Sequence, residues 1–173
     1  MNKVLPKLVR YGLSCAVGAM ALSLTTQRVH AATINIQGTV AAVANLTASA
    51  ATPLTDTDLT EGIAAKTIST VNERCNKHNG YTVTLESANA KAASSPQARM
   101  NPATTGNSDT IDYTILYNGS SVTLNNSGAA TVTDASGKTT KSGVDKVLAV
   151  TVAAGNPAQD TYSDTLTLTI AAK

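Results

Sequence analysis

"TYSDTLTLTIAAK", residues 161–173, alternates with a period of two. Tyr162, Leu166, Leu168 and Ile170 fall on one parity, and Thr165, Thr167 and Thr169 on the other. That period puts successive side chains on opposite faces of a β-strand, so the aliphatic parity is expected to face a core. The pattern recurs upstream at short intervals. YTVTLES (81–87) and IDYTILYNG (111–119) alternate in the same way, and Asn79-Gly80 and Asn118-Gly119 are turn dipeptides beside them. SVTLNNSG (121–128) follows the second turn at hairpin distance. Shorter strand-like runs lie at 63–72, with Ile68 and Val71, at ATVTDASGK (130–138) and at VLAVTV (147–152). Residues 45–62 read as loop with room for one short strand. Residues 88–108 read as a long connection, with a helical turn near 86–95. No segment carries a capped stripe of period 3.6. Short alternating strands separated by turn signals predict an all-β sandwich.

Composition narrows the class. Lys3, Lys7 and Arg10 precede an apolar run from Leu13 to Leu24, and Val29-His30-Ala31 offers a small residue before a cut after Ala31 and an apolar one at the third position back. Residues 1–31 therefore read as a secretory signal rather than a membrane anchor. Four of the 13 basic residues lie in this segment (Lys3, Lys7, Arg10, Arg28) and all 11 acidic ones lie beyond it, which leaves the remainder with a net charge of −2. With no basic run and no interleaved aromatics, nucleic-acid binding has no support. The rest of the chain has neither Phe nor Trp, and its tyrosines are Tyr81, Tyr113, Tyr117 and Tyr162. Abundant Thr, Val and Ala suit thin strands packed face to face. Cys75 stands alone once Cys15 is removed, so no internal disulfide is expected, and a quiet, half-buried thiol is the simplest reading of it.

No constellation points to catalysis, a cofactor or a metal. Cys75 and His78 form C-x-x-H, but a zinc site needs about four ligands and a thiol nucleophile needs a base in a built site. Asp56, Asp58 and Glu61 lack the spacing of a calcium loop. Asp109 with Asp112, and Asp160 with Asp164, are carboxylate pairs without any sign of a cleft that would employ them.

The stretch after the cleavage site, "ATINIQGTVAAV" (32–43), alternates too. Ile34, Ile36, Val40 and Ala42 share one parity with Gly38 between them. It is expected to be a strand. Periodicity leaves open whether it completes its own sheet or that of another chain.

Taken together, "TINIQGTVAAVANL" (33–46) and "DTYSDTLTLTIAAK" (160–173) resemble the opening and closing strands of chaperone–usher fimbrial subunits. The resemblance extends to the alpha-class (class 5) major pilins and to the spore-coat-U-type pilin-like proteins. It differs from the usual pattern in Thr161, where Gly is frequent before the tyrosine, and from spore-coat-U-type members in lacking paired cysteines. The resemblance implies an immunoglobulin-like β-sandwich that is incomplete and is completed by a donated strand. It implies a division into signal peptide (1–31), N-terminal donor strand (32–44) and sandwich domain (45–173). Ile34, Ile36, Gly38, Val40 and Ala42 would form the donor face, with Tyr162, Leu166, Leu168 and Ile170 lining the acceptor groove. The implied partners are identical subunits in a fibre, a periplasmic chaperone, an outer-membrane usher and, at the cell surface, a host receptor. The implied role is a structural subunit in adhesion or biofilm, exported through the periplasm, with no cofactor. The alternative is a self-contained secreted sandwich acting as an adhesin or carbohydrate-binding module.

Overall fold

The computed structural model describes residues 33–54 and 58–173. The expected signal peptide (1–31), Ala32, and Asp56 of the acidic run lie outside the described residues. The chain divides into two compact units, Met1–Gly38 and Thr39–Lys173. Of the first, residues 33–38 carry no secondary structure, and Ile34 and Ile36 are 84% and 94% exposed. In the second, residues 39–43 also form no strand and Val40 is 86% exposed. The strand expected over 32–43 is thus not formed across its described part. An apolar face with nothing to bury it against gains nothing from the extended pairing that its pattern suits.

The second unit is nearly all strand. β1 (Ala44–Ala48), β2 (Ile63–Cys75), β3 (Tyr81–Ser87), β4 (Arg99–Pro102), β5 (Ile111–Tyr117), β6 (Ser120–Val122), β7 (Ala129–Ala135), β8 (Val144–Val152), β9 (Tyr162–Ser163) and β10 (Leu166–Ala172) follow in order, with one short helix, α1 (Ala88–Ala92). They form two antiparallel sheets. The wide sheet runs β1-β2-β8-β5-β4-β9, with β6 also paired to β5, and the narrow sheet runs β10-β3-β7. The sheets pack face to face as a sandwich. The predicted all-β class is what is found.

Inward parities build the core. Val71, Leu85 and Ile115 are at most 1% exposed, and Tyr113, Tyr117, Leu148 and Val150 pack with them. β3 is the middle strand of the narrow sheet and alternates buried with half-buried along its whole length. The helical turn expected near 86–95 is α1. Ser87 caps it, its hydroxyl accepting from the Ala90 N–H at 3.1 Å.

Asn79-Gly80 turns β2 into β3. Gly80 has a φ of +87°, and a Cβ there would lie 2.0 Å from the Ala135 carbonyl oxygen. Gly119, in the β5–β6 turn, has a similar φ of +82° but open space around it. The two glycines separate backbone strain from crowding. Gly119→Ala is expected to cost about 1 kcal/mol, from the left-handed backbone alone. Gly80→Ala should cost about 3 kcal/mol or more, because the crowding adds to the strain. Urea unfolding of the two variants measures the difference.

Candidate functional site: an open cleft beside the closing strand

β10 pairs with β3 along one edge only. Its register sets Leu166 opposite Ser87, Leu168 opposite Leu85 and Ile170 opposite Val83. Val83 and Leu85, flanked by strands on both sides, are fully buried. Leu166, Leu168 and Ile170 have the same inward parity yet remain half-buried. The difference comes from the edge. Among the described residues no strand pairs with the outer side of β10.

Next to that edge lies a cleft of about 890 Å³ between the sheets. Its floor is the inner face of the wide sheet, with Val71 from β2, Leu148 and Val150 from β8, Tyr113 and Ile111 from β5 and Met100 from β4. Leu166 and Leu168 form one wall. The opposite wall is the end of β1 and the segment after it, from Ala48 and Ser49 to Leu54. That segment continues alongside β2 through the Ser49 N–H to the Thr70 carbonyl (2.9 Å) and the Thr52 N–H to the Ile68 carbonyl (2.7 Å). Ile68 and Val71 both reach the cleft although they differ in parity. A register shift between Thr67 and Ser69 makes this possible.

The expected closing strand is in fact two strands. Tyr162 belongs to β9 and pairs with Pro102 of β4 in the wide sheet, whereas Leu166 starts β10 in the narrow sheet. Asp164 makes the crossover. Its carboxylate accepts from the Ser87 hydroxyl (2.6 Å), the Tyr113 hydroxyl (2.6 Å), the Asn89 N–H (3.0 Å) and its neighbour Thr165 N–H (2.7 Å). Tyr162 still lines the cleft with Leu166 and Leu168. Ile170 does not. It packs with Leu46 against Cys75, Tyr81 and Val83, where the space between the sheets is filled. Of the four expected groove residues, three meet at the cleft. Met100 lies in the stretch that reads as a long connection, and β4 there was missed; the other floor residues were visible as strand residues, but no sequence signal indicated which strands would face one another across it.

At that filled end sits a buried carboxylate that the sequence did not single out. Glu73 is 0% exposed and lies on the inward parity of β2. It accepts from Tyr117 (2.6 Å) in its own sheet and from Tyr81 (2.9 Å) and Thr133 (2.7 Å) in the facing one. It therefore ties the two sheets together by hydroxyl donors. Burial first, and then the bond to Glu73, push the Tyr81 and Tyr117 phenols far above the ordinary tyrosine range. Burial and Asp164 do the same to Tyr113. Cys75 beside Glu73 is free and 1% exposed, more deeply buried than expected, while His78 is exposed, so C-x-x-H forms no site. Among the described residues no group of three or more potential ligands could hold a metal ion.

The model of the Spore Coat Protein U domain matches residues 12–169. The chain belongs to this family. The spore coat protein U domain is a chaperone–usher pilin-like family of fimbrial, pilus-type subunits, exported structural proteins rather than enzymes. A comparison with curated proteins gives no match. Membership resolves the two subfamilies that the strand patterns left open, and it holds although Cys75 has no partner within the sandwich.

Two measurements test the carboxylate hubs. Glu73→Ala would leave two buried phenols and the half-buried Thr133 hydroxyl without an acceptor and should destabilise the fold by about 3 kcal/mol or more, against roughly 1–2 kcal/mol for Tyr117→Phe. The tyrosine shifts set the alkaline limit. Their folded values lie above the unfolded value of about 10. Their contribution is therefore complete below that pH and is lost as the pH rises beyond it. Ultraviolet titration should show Tyr81, Tyr113 and Tyr117 ionising only when the protein unfolds.

Proposed function

We propose that this chain is a structural fimbrial subunit that polymerises by donor-strand exchange. In this reading the N-terminal segment of one copy enters the cleft of the next and pairs with the free edge of β10. One pairing of facts carries the proposal: an open apolar cleft beside an unpaired strand edge, and exposed Ile34, Ile36 and Val40 on one parity of the same chain, with Gly38 between the last two. Ile34, Ile36, Val40 and Ala42 would point into the cleft, each large side chain contributing roughly 1.5–3 kcal/mol of burial. Gly38 would sit where the floor leaves no room for a side chain. Tyr162, Leu166 and Leu168 would receive the strand, with Ile170 holding the closed end behind them. The start of β1 at Ala44 supports a donor of about residues 33–42, with the sandwich as the rest.

An open edge beside an apolar cleft is an aggregation hazard before assembly. A periplasmic chaperone that lends a strand, and an outer-membrane usher that passes subunits on, meet that hazard. The fibre would stand on the cell surface and serve adhesion or biofilm formation, with no cofactor. The residues 1–31 would be the leader for export.

Deleting residues 33–42 should leave a subunit that binds its chaperone and does not polymerise. Ile36→Asp should lower fibre yield at least about tenfold, since it removes one buried side chain and places a carboxylate in an apolar cleft. Electron microscopy of fibres scores both. Fibres from the deletion variant would overturn the proposal, and unaided refolding of the full chain to a stable monomer would favour the self-contained sandwich.

A further inference from the structure

We infer that Asn76 is a positioning residue: its carboxamide holds the root of the N-terminal segment in line with β1 and so presents that segment to a second copy of the chain instead of to the subunit's own cleft. The inference rests on the donor-strand reading above.

β2 ends at Cys75, opposite Ala44, yet the ladder continues past it. The Asn76 N–H donates to the Val43 carbonyl at 3.1 Å. The Val43 N–H donates to Asn76 Oδ1 at 2.7 Å, and Asn76 Nδ2 donates to the Ala41 carbonyl at 2.7 Å. The side-chain amide thus stands in for a further peptide group of β2, with one acceptor and one donor facing the chain opposite. Only one orientation of the amide satisfies both contacts. Ala41 and Ala42 are exposed and bury nothing. What holds residues 41–43 extended is this set of three hydrogen bonds, two of them through one side chain. Asparagine does not titrate, so the hold is the same at any pH the subunit meets.

Direction gives the clamp its consequence. The cleft lies at the far end of β1, where Ala48 and Ser49 line it. The near end is closed, Leu46 packing with Ile170 against Cys75, Tyr81 and Val83. Residues 43 to 41, leaving Ala44 in line with β1, run away from the cleft of their own subunit. Residues 33–40 could span up to about 27 Å, so length alone does not forbid a return. To lay Ile34 to Val40 in that cleft, the reversal must fall at 41–43, and there it breaks the Ala41 and Val43 bonds to Asn76.

The test uses the full chain in its native host, with Ile36→Cys on the donor face and Leu168→Cys in the cleft, oxidised and run on a non-reducing gel. The native Cys75 is buried and stays. With Asn76 intact, the disulfide should join different chains and give a ladder. With Asn76→Ala, an intrachain disulfide should appear as a compact monomer band, and the ratio of monomer to ladder should rise roughly three- to tenfold, the effect of losing two partly solvated hydrogen bonds. Asn76→Asp keeps the acceptor for Val43 and loses the donor to Ala41, and should fall between. It also controls for folding, since it leaves β2 and its backbone bond to Val43 in place. An unchanged ladder in both variants, or a monomer band with Asn76 intact, overturns the role of Asn76 and leaves the donor-strand reading standing. Failure of the two introduced thiols to join, within a chain or between chains, overturns that reading itself.

Discussion

Leu166 and Leu168 are inward-facing leucines on a strand with one free edge, and the rest of the molecule is arranged around that edge. A sandwich seals its core when its two sheets cover one another. Here the narrow sheet has three strands and the wide one seven, so the inner face of β2, β8 and β5 extends past the reach of β10. The part of that face that lines the cleft carries Val71, Leu148, Val150 and Tyr113. Nothing in the aliphatic composition can compensate. Without Phe or Trp in the sandwich, no side chain is large enough to lean across from β10 and fill the space.

A fold with an open core and no disulfide must hold its sheets together by other means. Two carboxylates do so, one at each end of the gap. Glu73 gathers hydroxyls from β5, β3 and β7, and Asp164 gathers those of Ser87 and Tyr113 where the chain crosses from one sheet to the other. A buried carboxylate with hydroxyl donors adds little net energy over an apolar residue of the same size. Its value is directional. A three-stranded sheet with an open side could slide across its neighbour at small cost in apolar contact, whereas bonds of 2.6–2.9 Å from two sheets to one Glu73 fix the register. Cys75, lying next to Glu73 in a fully packed region, is a small hydrophobe in that junction.

Much of this was legible in the residues. The alternation in YTVTLES and IDYTILY placed β3 and β5 to the residue, and Asn-Gly dipeptides marked both tight turns. What escaped was everything that depends on pairing. Tyr162 shares the parity of Leu166 and Leu168, so 161–173 read as one strand, and only the four donors around Asp164 reveal that it changes sheet there. Ile68 and Val71 differ in parity, and only the bulge between Thr67 and Ser69 brings both to the cleft. Ile170 continues the pattern of Leu168, but Leu46 has already filled the space in front of it. The segment 33–43 misled in a different way. Its period of two states only what it is able to pair with, and among the described residues no strand pairs with it. Glu73 gave no signal at all, because a lone Glu on an alternating strand usually marks the solvent face.

The proposed occupant of the cleft must also suit its polar rim. Three carboxylates line it, Asp58, Asp160 and Asp164. Unpartnered, they would resist the arrival of a strand that has no cation to offer, and residues 33–43 have none. Each is already provided for from within. Asp58 takes the hydroxyl and N–H of Thr60, at 2.7 and 2.9 Å, and these bonds hold its carboxyl below the usual range. Asp160 is lowered in the same direction by Asn107 foremost, with Thr161 and Thr104 adding to it. Asp164 is bound on both oxygens. Carboxylates whose lone pairs are engaged lose little when nearby water is displaced. An uncharged strand of isoleucine, valine, glycine and small polar residues is then the kind of segment that can enter without stranding a charge. A segment bearing lysines would gain nothing from acceptors already occupied, and its ammonium groups would have to be stripped of water beside an apolar floor.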